Sequence, residues 1–143
     1  MPHVFVYGTL KRGYPNNSIL LRNAKFLGPA VSVQPVYKME TQGFPAIWEV
    51  GEAGNFVRGE LYEVSEEQLA RCDNLEGHPH MYCRQARTFR LPNDRDRVMS
   101  AWVYLWNNKY GRFQGEPVLP ENGHLSWDRP HMREPQLERE DSE

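Results

Sequence analysis

The chain has 143 residues, of which 39% are hydrophobic and 25% charged, the balance of one folded domain with one core rather than of a disordered or fibrous chain. Its 17 basic and 19 acidic side chains leave a net charge of −2 spread along the sequence, which offers no electrostatic footprint for nucleic acid. No apolar run approaches the roughly 20 residues that span a bilayer, Met1-Pro2-His3 does not open a secretory signal, and Cys72 and Cys83 are too few for a disulfide framework, so a cytoplasmic protein with two free thiols and no membrane partner is expected.

Val4, Phe5, Val6 and Tyr7 make a short β-branched and aromatic run ended by Gly8, which predicts a buried strand entering a turn. Asn16, Asn17 and Ser18 offer N-caps for a short helix over Ile19-Leu20-Leu21-Arg22-Asn23 that would lay its apolar face on a sheet. Clusters at Val31 to Val36, Ala46 to Val50 and Phe56 to Val64, punctuated by Gly43, Pro45, Gly51, Gly54 and Gly59, predict several short strands. Ser65-Glu66-Glu67-Gln68 matches a capping box, and Leu69, Cys72 and Leu75 or Glu76 recur at helical spacing up to Gly77, a C′ glycine. Tyr82 to Leu91 and Val98 to Trp106 alternate as the strands of a hairpin turned at Pro92-Asn93-Asp94. Mostly strands with two helices, this order predicts an α+β domain on a curled antiparallel or mixed sheet over residues 1–128, and the charged, proline-containing stretch 129–143 reads as a flexible tail.

Two places carry candidate chemistry. Tyr7-Gly8-Thr9-Leu10-Lys11-Arg12-Gly13 sets two glycines and two cations directly after the first strand, where successive main-chain N–H groups can turn inward and hold an oxyanion such as a carboxylate. An ordinary strand-ending turn with solvated Lys11 and Arg12 fits the same residues, whereas a phosphate loop does not, because Gly13 is followed by Tyr14 rather than lysine. Glu76 stands at the C-terminal turn of the capped helix, where the macrodipole disfavours a carboxylate by a few tenths to about 1 kcal/mol, so local stability does not account for it. Either it is an exposed helix-end acid, or a cavity desolvates it and raises its pKa toward what a base working near neutral pH needs.

Val4-Phe5-Val6-Tyr7-Gly8-Thr9-Leu10-Lys11-Arg12-Gly13 resembles the opening signature of the γ-glutamylcyclotransferase-like (AIG2-like) family. Gly59-Glu60-Leu61-Tyr62-Glu63-Val64, then a helix, then Asp73-Asn74-Leu75-Glu76-Gly77 and Tyr82-Cys83-Arg84 resembles the family's second block, in the same order and at a fitting distance. The resemblance implies a small β-barrel-like mixed sheet with two or more flanking helices, a cavity at one mouth, and an enzyme that releases 5-oxoproline from a γ-glutamyl amide. It assigns Tyr7, Gly8, Thr9 and Leu10 to the glutamyl α-carboxylate through main-chain N–H groups, Glu76 to acid/base work and Tyr82 to the cavity wall. The longer match over Lys11-Arg12-Gly13-Tyr14-Pro15-Asn16 and the compact chain lean toward the γ-glutamylamine branch of the family rather than the glutathione-related one. Its implied partner is a small γ-glutamyl substrate, with no cofactor required; the sequence carries no sign of an oligomeric state.

In that chemistry a carboxylate of pKa about 4.3 takes a proton from an α-ammonium of pKa about 8, a step uphill by roughly 5 kcal/mol, so the base must be enclosed. Cys72, His78, His80 and Cys83 form a C-x5-H-x-H-x2-C run unlike zinc spacings, and core cysteines with loop histidines explain it without a metal. Gly43-Phe44-Pro45-Ala46 is a cavity wall or a plain turn; Trp102, Tyr104 and Trp106 alternate on one strand face, which fits packing better than ligand stacking; Trp127 is a candidate cap over the pocket. The rival class is a binding protein that holds a small carboxylate-bearing ligand without reaction, to which a buried Glu76 contributes nothing.

Overall fold

The computed structural model describes residues 1–129. Among them the elements follow as β1 (His3–Val6), α1 (Pro15–Leu20), β2 (Lys25–Ser32), β3 (Tyr37–Thr41), β4 (Pro45–Glu49), β5 (Phe56–Glu63), α2 (Glu66–Glu76), β6 (Tyr82–Leu91), β7 (Arg97–Trp106), β8 (Glu116–Pro117) and β9 (His124–Leu125). β1, β7, β6, β2 and β5 pair in that order and β5 pairs back to β1, which closes a five-stranded barrel, while β3, β4 and β8 form a smaller sheet. Within the ring only β1 and β7 run parallel. The α+β barrel-like mixed sheet with two flanking helices is therefore the architecture of this chain.

The uninterrupted apolar run of β1 follows from its place in the ring. Phe5 points into one core cluster, stacked on Phe89 with ring centroids 4.0 Å apart, while Val4 and Val6 point into a second cluster on the side of α2. Pairing of Phe5 with Leu61 and of Val6 with Glu60 brings the chain close to Gly59, where an added Cβ would stand 2.2 Å from the Val6 carbonyl oxygen and 2.8 Å from Phe5 Cζ. Only glycine allows this approach.

α2 forms where its ends are marked. The Ser65 side chain accepts from the Gln68 N–H (3.0 Å), the Gln68 side chain accepts from the Ser65 N–H (2.9 Å), and Gly77 closes the helix at φ 66°. Leu69 and Cys72 are its buried residues, and they pack with Val4, Val6, Tyr62 and Val64, which fixes the direction in which the last turn points. The β6–β7 hairpin pairs from Tyr82 opposite Trp106 to Leu91 opposite Arg97, with Arg95 and Asp96 at positive φ in its turn.

Elsewhere the elements depart from the sequence expectation. The first helix spans Pro15–Leu20 rather than 19–23, because Pro15 presets the helical φ at N1 and the chain is already extended at Tyr14; Asn16, Asn17 and Ser18 lie inside the helix and cap nothing. That helix buries none of its residues, so the expected apolar face is replaced by Leu21, buried just after it. The strand expected over Val31 to Val36 starts earlier and ends at Ser32; a bulge between Phe26 and Gly28 interrupts its alternation, and the Ser32 hydroxyl turns the chain by donating to the Gln34 carbonyl (2.9 Å). β3 shows only Tyr37 and Met39 as buried alternating residues, too short a signal to stand out. β1 stops before Tyr7 and β4 begins at Pro45, one residue from expectation. Among the described residues no helix is long and apolar enough to cross a membrane. The tail expected over 129–143 lies outside the described residues except for Arg129.

Candidate active site

β1 delivers the chain to one mouth of the barrel, where the turn after it, the end of α2 and the loop before β4 surround a cavity of about 360 Å³. Tyr7 is buried and its hydroxyl donates to the Tyr104 carbonyl (2.7 Å) on β7, which pins the start of the turn. The Lys11 N–H closes the turn on the Gly8 carbonyl (3.0 Å). Asn16 donates to Thr9 Oγ1 (3.1 Å) and Asn17 to the Leu10 carbonyl (2.8 Å), so the α1 asparagines hold this turn in place. Among the described residues no protein acceptor takes the main-chain N–H of Gly8, Thr9 or Leu10, and all three residues line the cavity. Such a run of unengaged donors suits an anion.

The two cations of the turn face elsewhere. Lys11 Nζ donates to the Trp127 carbonyl and pairs with Asp128 (3.1 Å); the Arg12 guanidinium lies 4.6 Å over the Phe26 ring, and the Arg12 main-chain N–H donates to Glu60 Oε1. Neither is simply solvated, and neither lines the cavity.

Glu76, the last residue of α2, lines the same cavity together with Tyr82, Tyr7 and Tyr104. Its residue surface is half-buried because the cavity is open, but its carboxyl is packed about by protein, and that desolvation pushes its pKa up to about 7. No side-chain hydrogen bond to the carboxyl is present among the described residues to oppose the rise. Each nearby tyrosine hydroxyl is committed to another acceptor: Tyr82 to the Pro45 carbonyl (2.8 Å), Tyr7 to the Tyr104 carbonyl, and Tyr104 to Asp73 Oδ1 (2.7 Å). Burial and then the charge of Glu76 raise the pKa of Tyr82, so it stays a neutral phenol. Arg84 Nε also donates to Asp73 Oδ1 (2.8 Å) and its guanidinium covers the Trp102 ring at 4.3 Å.

The remaining candidates separate. Gly43, Phe44 and Pro45 both turn the chain and wall the cavity, Gly43 at φ 84°. Of the β7 aromatics, Tyr104 lines the cavity, whereas Trp106 packs edge-on against Tyr82, Tyr110 and Phe113. Trp127 is not a cavity cap: it is buried in the core, with its indole N–H donated to Thr41 (2.8 Å), and the C-terminal segment lines the cavity two residues later, through Arg129. His78 Nδ1 accepts the Arg84 N–H (3.1 Å), Cys72 is buried with its thiol pKa pushed up to about 12, chiefly by burial, and no metal-holding group of His, Cys, Asp or Glu occurs among the described residues. Sequence reasoning missed Asn16, Leu75, Met81 and Arg129 as lining residues. Leu75 and Met81 flank Glu76 and Tyr82, so neighbourhood was a usable signal for them. For Arg129 there was none, since its partner Tyr14 is 115 residues away.

Gly8 faces Pro45 so closely that an added Cβ would lie 2.7 Å from Pro45 Cγ and 3.0 Å from Cδ. The proline ring cannot swing aside, so Gly8→Ala is expected to spread two walls of the cavity. For the γ-glutamyl amide that the sequence resemblance implies as substrate, the expected result is about a tenfold rise in KM with a melting temperature within a few degrees of wild type, read by initial-rate kinetics and thermal melting.

Comparison with known proteins identifies the family and the fold. The family model described as gamma-glutamyl cyclotransferase, AIG2-like, matches residues 4–129. The chain is 37% identical over 123 residues to a provisionally named gamma-glutamylcyclotransferase of Methanocaldococcus jannaschii, an alignment covering 86% of this chain and 94% of that one. It is 39% identical over 97 residues to the gamma-glutamylaminecyclotransferase of Rattus norvegicus, covering 64% of this chain and 65% of the rat protein. The crystal structure of an AIG2-like protein of Mus musculus superposes with a TM-score of 0.66 at 27% identity, over 90% of this chain and 97% of that one. With its fold and nearly all of its described residues matched, the chain belongs to the gamma-glutamyl cyclotransferase, AIG2-like, family of enzymes.

Proposed function

We propose that the protein releases 5-oxoproline and a free amine from a γ-glutamyl amide, with Glu76 as the acid/base and the Gly8–Leu10 turn as the seat of the glutamyl α-carboxylate. The observation that carries this is one cavity holding both a desolvated carboxyl with pKa about 7 and a run of unengaged main-chain donors. A base at about 7 against an ammonium at about 8 shrinks the roughly 5 kcal/mol gap of an unperturbed pair to about 1.4 kcal/mol.

In the reaction the substrate supplies both nucleophile and electrophile. Glu76 takes one proton from the α-ammonium, the freed nitrogen attacks the γ-carbonyl carbon, and the carbonyl π pair moves to oxygen. Collapse of that oxyanion breaks the bond to the departing nitrogen. Two protons pass in all from the attacking nitrogen, which ends as a lactam N–H, to the departing one, which leaves as an ammonium, and Glu76 relays them and ends unchanged. Tyr82 and Tyr104 wall the cavity, and the turn folds the glutamyl chain so that its ends meet. A carboxylate desolvated beside an anion-binding turn costs stability without return in a pure binder, which favours the enzyme. We place the reaction in the cytoplasm, where the unpaired Cys72 and Cys83 would stay reduced.

The purified protein given γ-glutamyl-ε-lysine is expected to yield 5-oxoproline and lysine in equal amounts, followed by chromatography, with kcat/KM rising with pH through about 7 as Glu76 loses its proton. A panel of γ-glutamyl amines and γ-glutamyl dipeptides assigns the branch. Absence of 5-oxoproline from every compound would refute the proposal.

A further inference from the structure

Two side chains among the described lining residues of the cavity carry charge, Glu76 and Arg129. Arg129 comes from the C-terminal segment, and five interactions bring that segment to the cavity. Lys11 Nζ holds the Trp127 carbonyl and the Asp128 carboxylate (3.1 Å), and Asp128 also accepts from the Tyr14 hydroxyl (3.1 Å). The Tyr14 oxygen in turn accepts the Arg129 N–H (2.9 Å), and the indole of Trp127 is anchored to Thr41. The guanidinium then lies over two aromatic faces, 5.7 Å from the Tyr14 centroid and 6.0 Å from that of Trp127. Among the described residues it makes no ion pair with a carboxylate. A half-buried guanidinium, stacked and oriented but with no carboxylate partner among the described residues, is the natural receptor for a ligand carboxylate, which it can grip with two parallel N–H donors.

Resting on the cyclotransferase reading, we propose that Arg129 binds a carboxylate on the departing half of the substrate, so that γ-glutamyl amides of amino acids turn over in preference to those of simple amines. The glutamyl α-carboxylate already has the donors of the Gly8–Leu10 turn, which leaves the guanidinium for a second anion. The guanidinium is held over the Tyr14 and Trp127 rings and makes no ion pair with Glu76, which leaves the base to serve the substrate nitrogen. The departing group is the part of the substrate that extends beyond that nitrogen and the γ-carbonyl. Arg129 is thus a specificity residue for the leaving group.

Two substrate pairs that differ in one carboxylate test this. They are γ-glutamyl-ε-lysine with its decarboxylated counterpart γ-glutamylcadaverine, and γ-glutamylglycine with γ-glutamylisobutylamide. In wild type the carboxylate member of at least one pair is expected to have a kcat/KM about tenfold higher or more, and Arg129→Gln is expected to erase that advantage, mainly through KM, while changing the other member less than about twofold. Arg129→Lys, which keeps the charge, restores part of it. Equal wild-type rates on both members of both pairs overturn the proposal, and so does a loss in Arg129→Gln shared equally by both members, which would assign the guanidinium to the glutamyl carboxylate. The wild-type comparison needs no variant and so decides even if Arg129→Gln melts early. Should no compound yield 5-oxoproline, it is the cyclotransferase reading that fails. Calorimetric binding of the same pairs then judges Arg129, and equal affinities within both pairs overturn its role.

Discussion

Glu76→Gln is expected to lower turnover of a γ-glutamyl amide by a hundred- to ten-thousandfold while leaving the protein folded and, above neutral pH, more stable. The activity loss follows from removing the one titratable side chain, among the described lining residues of the cavity, able to accept a proton near pH 7, and this range is what positioned acid/base catalysis contributes. The stability gain follows from linkage. Glu76 has a folded-state pKa of about 7 against an ordinary value of 4.5, so between those two pH values the folded protein holds a proton that the unfolded chain has released. Stability from this group therefore falls as pH rises from about 4.5 to 7, and above 7 its burial as an anion costs at most about 3 kcal/mol. Glutamine carries no such cost. Denaturant melts of both proteins at pH 4.5 and pH 8 should show the variant gaining at the higher pH and not at the lower. A variant that keeps wild-type rates removes Glu76 from the chemistry; one that loses stability at pH 8 shows that the carboxylate is favourably solvated or paired.

The second large effect is expected far from the reacting atoms. Gly59→Ala puts a methyl group 2.2 Å from the Val6 carbonyl oxygen and 2.8 Å from Phe5 Cζ, distances no packed Cβ tolerates. β1 cannot retreat easily, because β7 flanks it on the other side and Phe5 is stacked on Phe89. Overpacking of this kind costs about 3 kcal/mol, and a fall of roughly 10 °C in melting temperature is expected from differential scanning calorimetry. Since β1 also aims the Gly8–Leu10 turn, the molecules that do fold should bind substrate more weakly, with KM raised several-fold. A melting temperature within 2 or 3 °C of wild type, on the same scale, would mean that the two strands separate at little cost.

Sequence signals were legible where structure is local. The capping box at Ser65 and Gln68 and the left-handed Gly77 bracket α2 within a dozen residues, so the position of Glu76 at its last turn could be read directly. The β6–β7 hairpin and the glycine-flanked turn after β1 are local in the same sense. That the Glu76 carboxyl is enclosed rather than exposed was not local: it depends on Tyr7, Pro45 and Tyr82, brought from three other parts of the chain. The start of α1 was misplaced because three good capping residues follow a proline that itself begins the helix, and two of them, Asn16 and Asn17, turn their side chains to the Gly8–Leu10 turn while Ser18 donates to the Pro15 carbonyl. Tyr104 looked like packing because its one polar atom is satisfied by Asp73 on α2, a partner 31 positions earlier. Arg129 opens a stretch whose charge and prolines resemble a tail, and only the stacking on Tyr14 and Trp127 distinguishes it.

The closed ring has a bearing on how the molecule is made. Among these strands β1 leaves the ribosome first, yet its two neighbours are residues 60–63 and residue 102, so it waits unpaired until β5 is made and is flanked on both edges only once β7 follows. The nascent protein must keep a fully apolar Val4-Phe5-Val6 out of trouble during that interval, and no truncated product that stops short of β7 can assemble a working mouth.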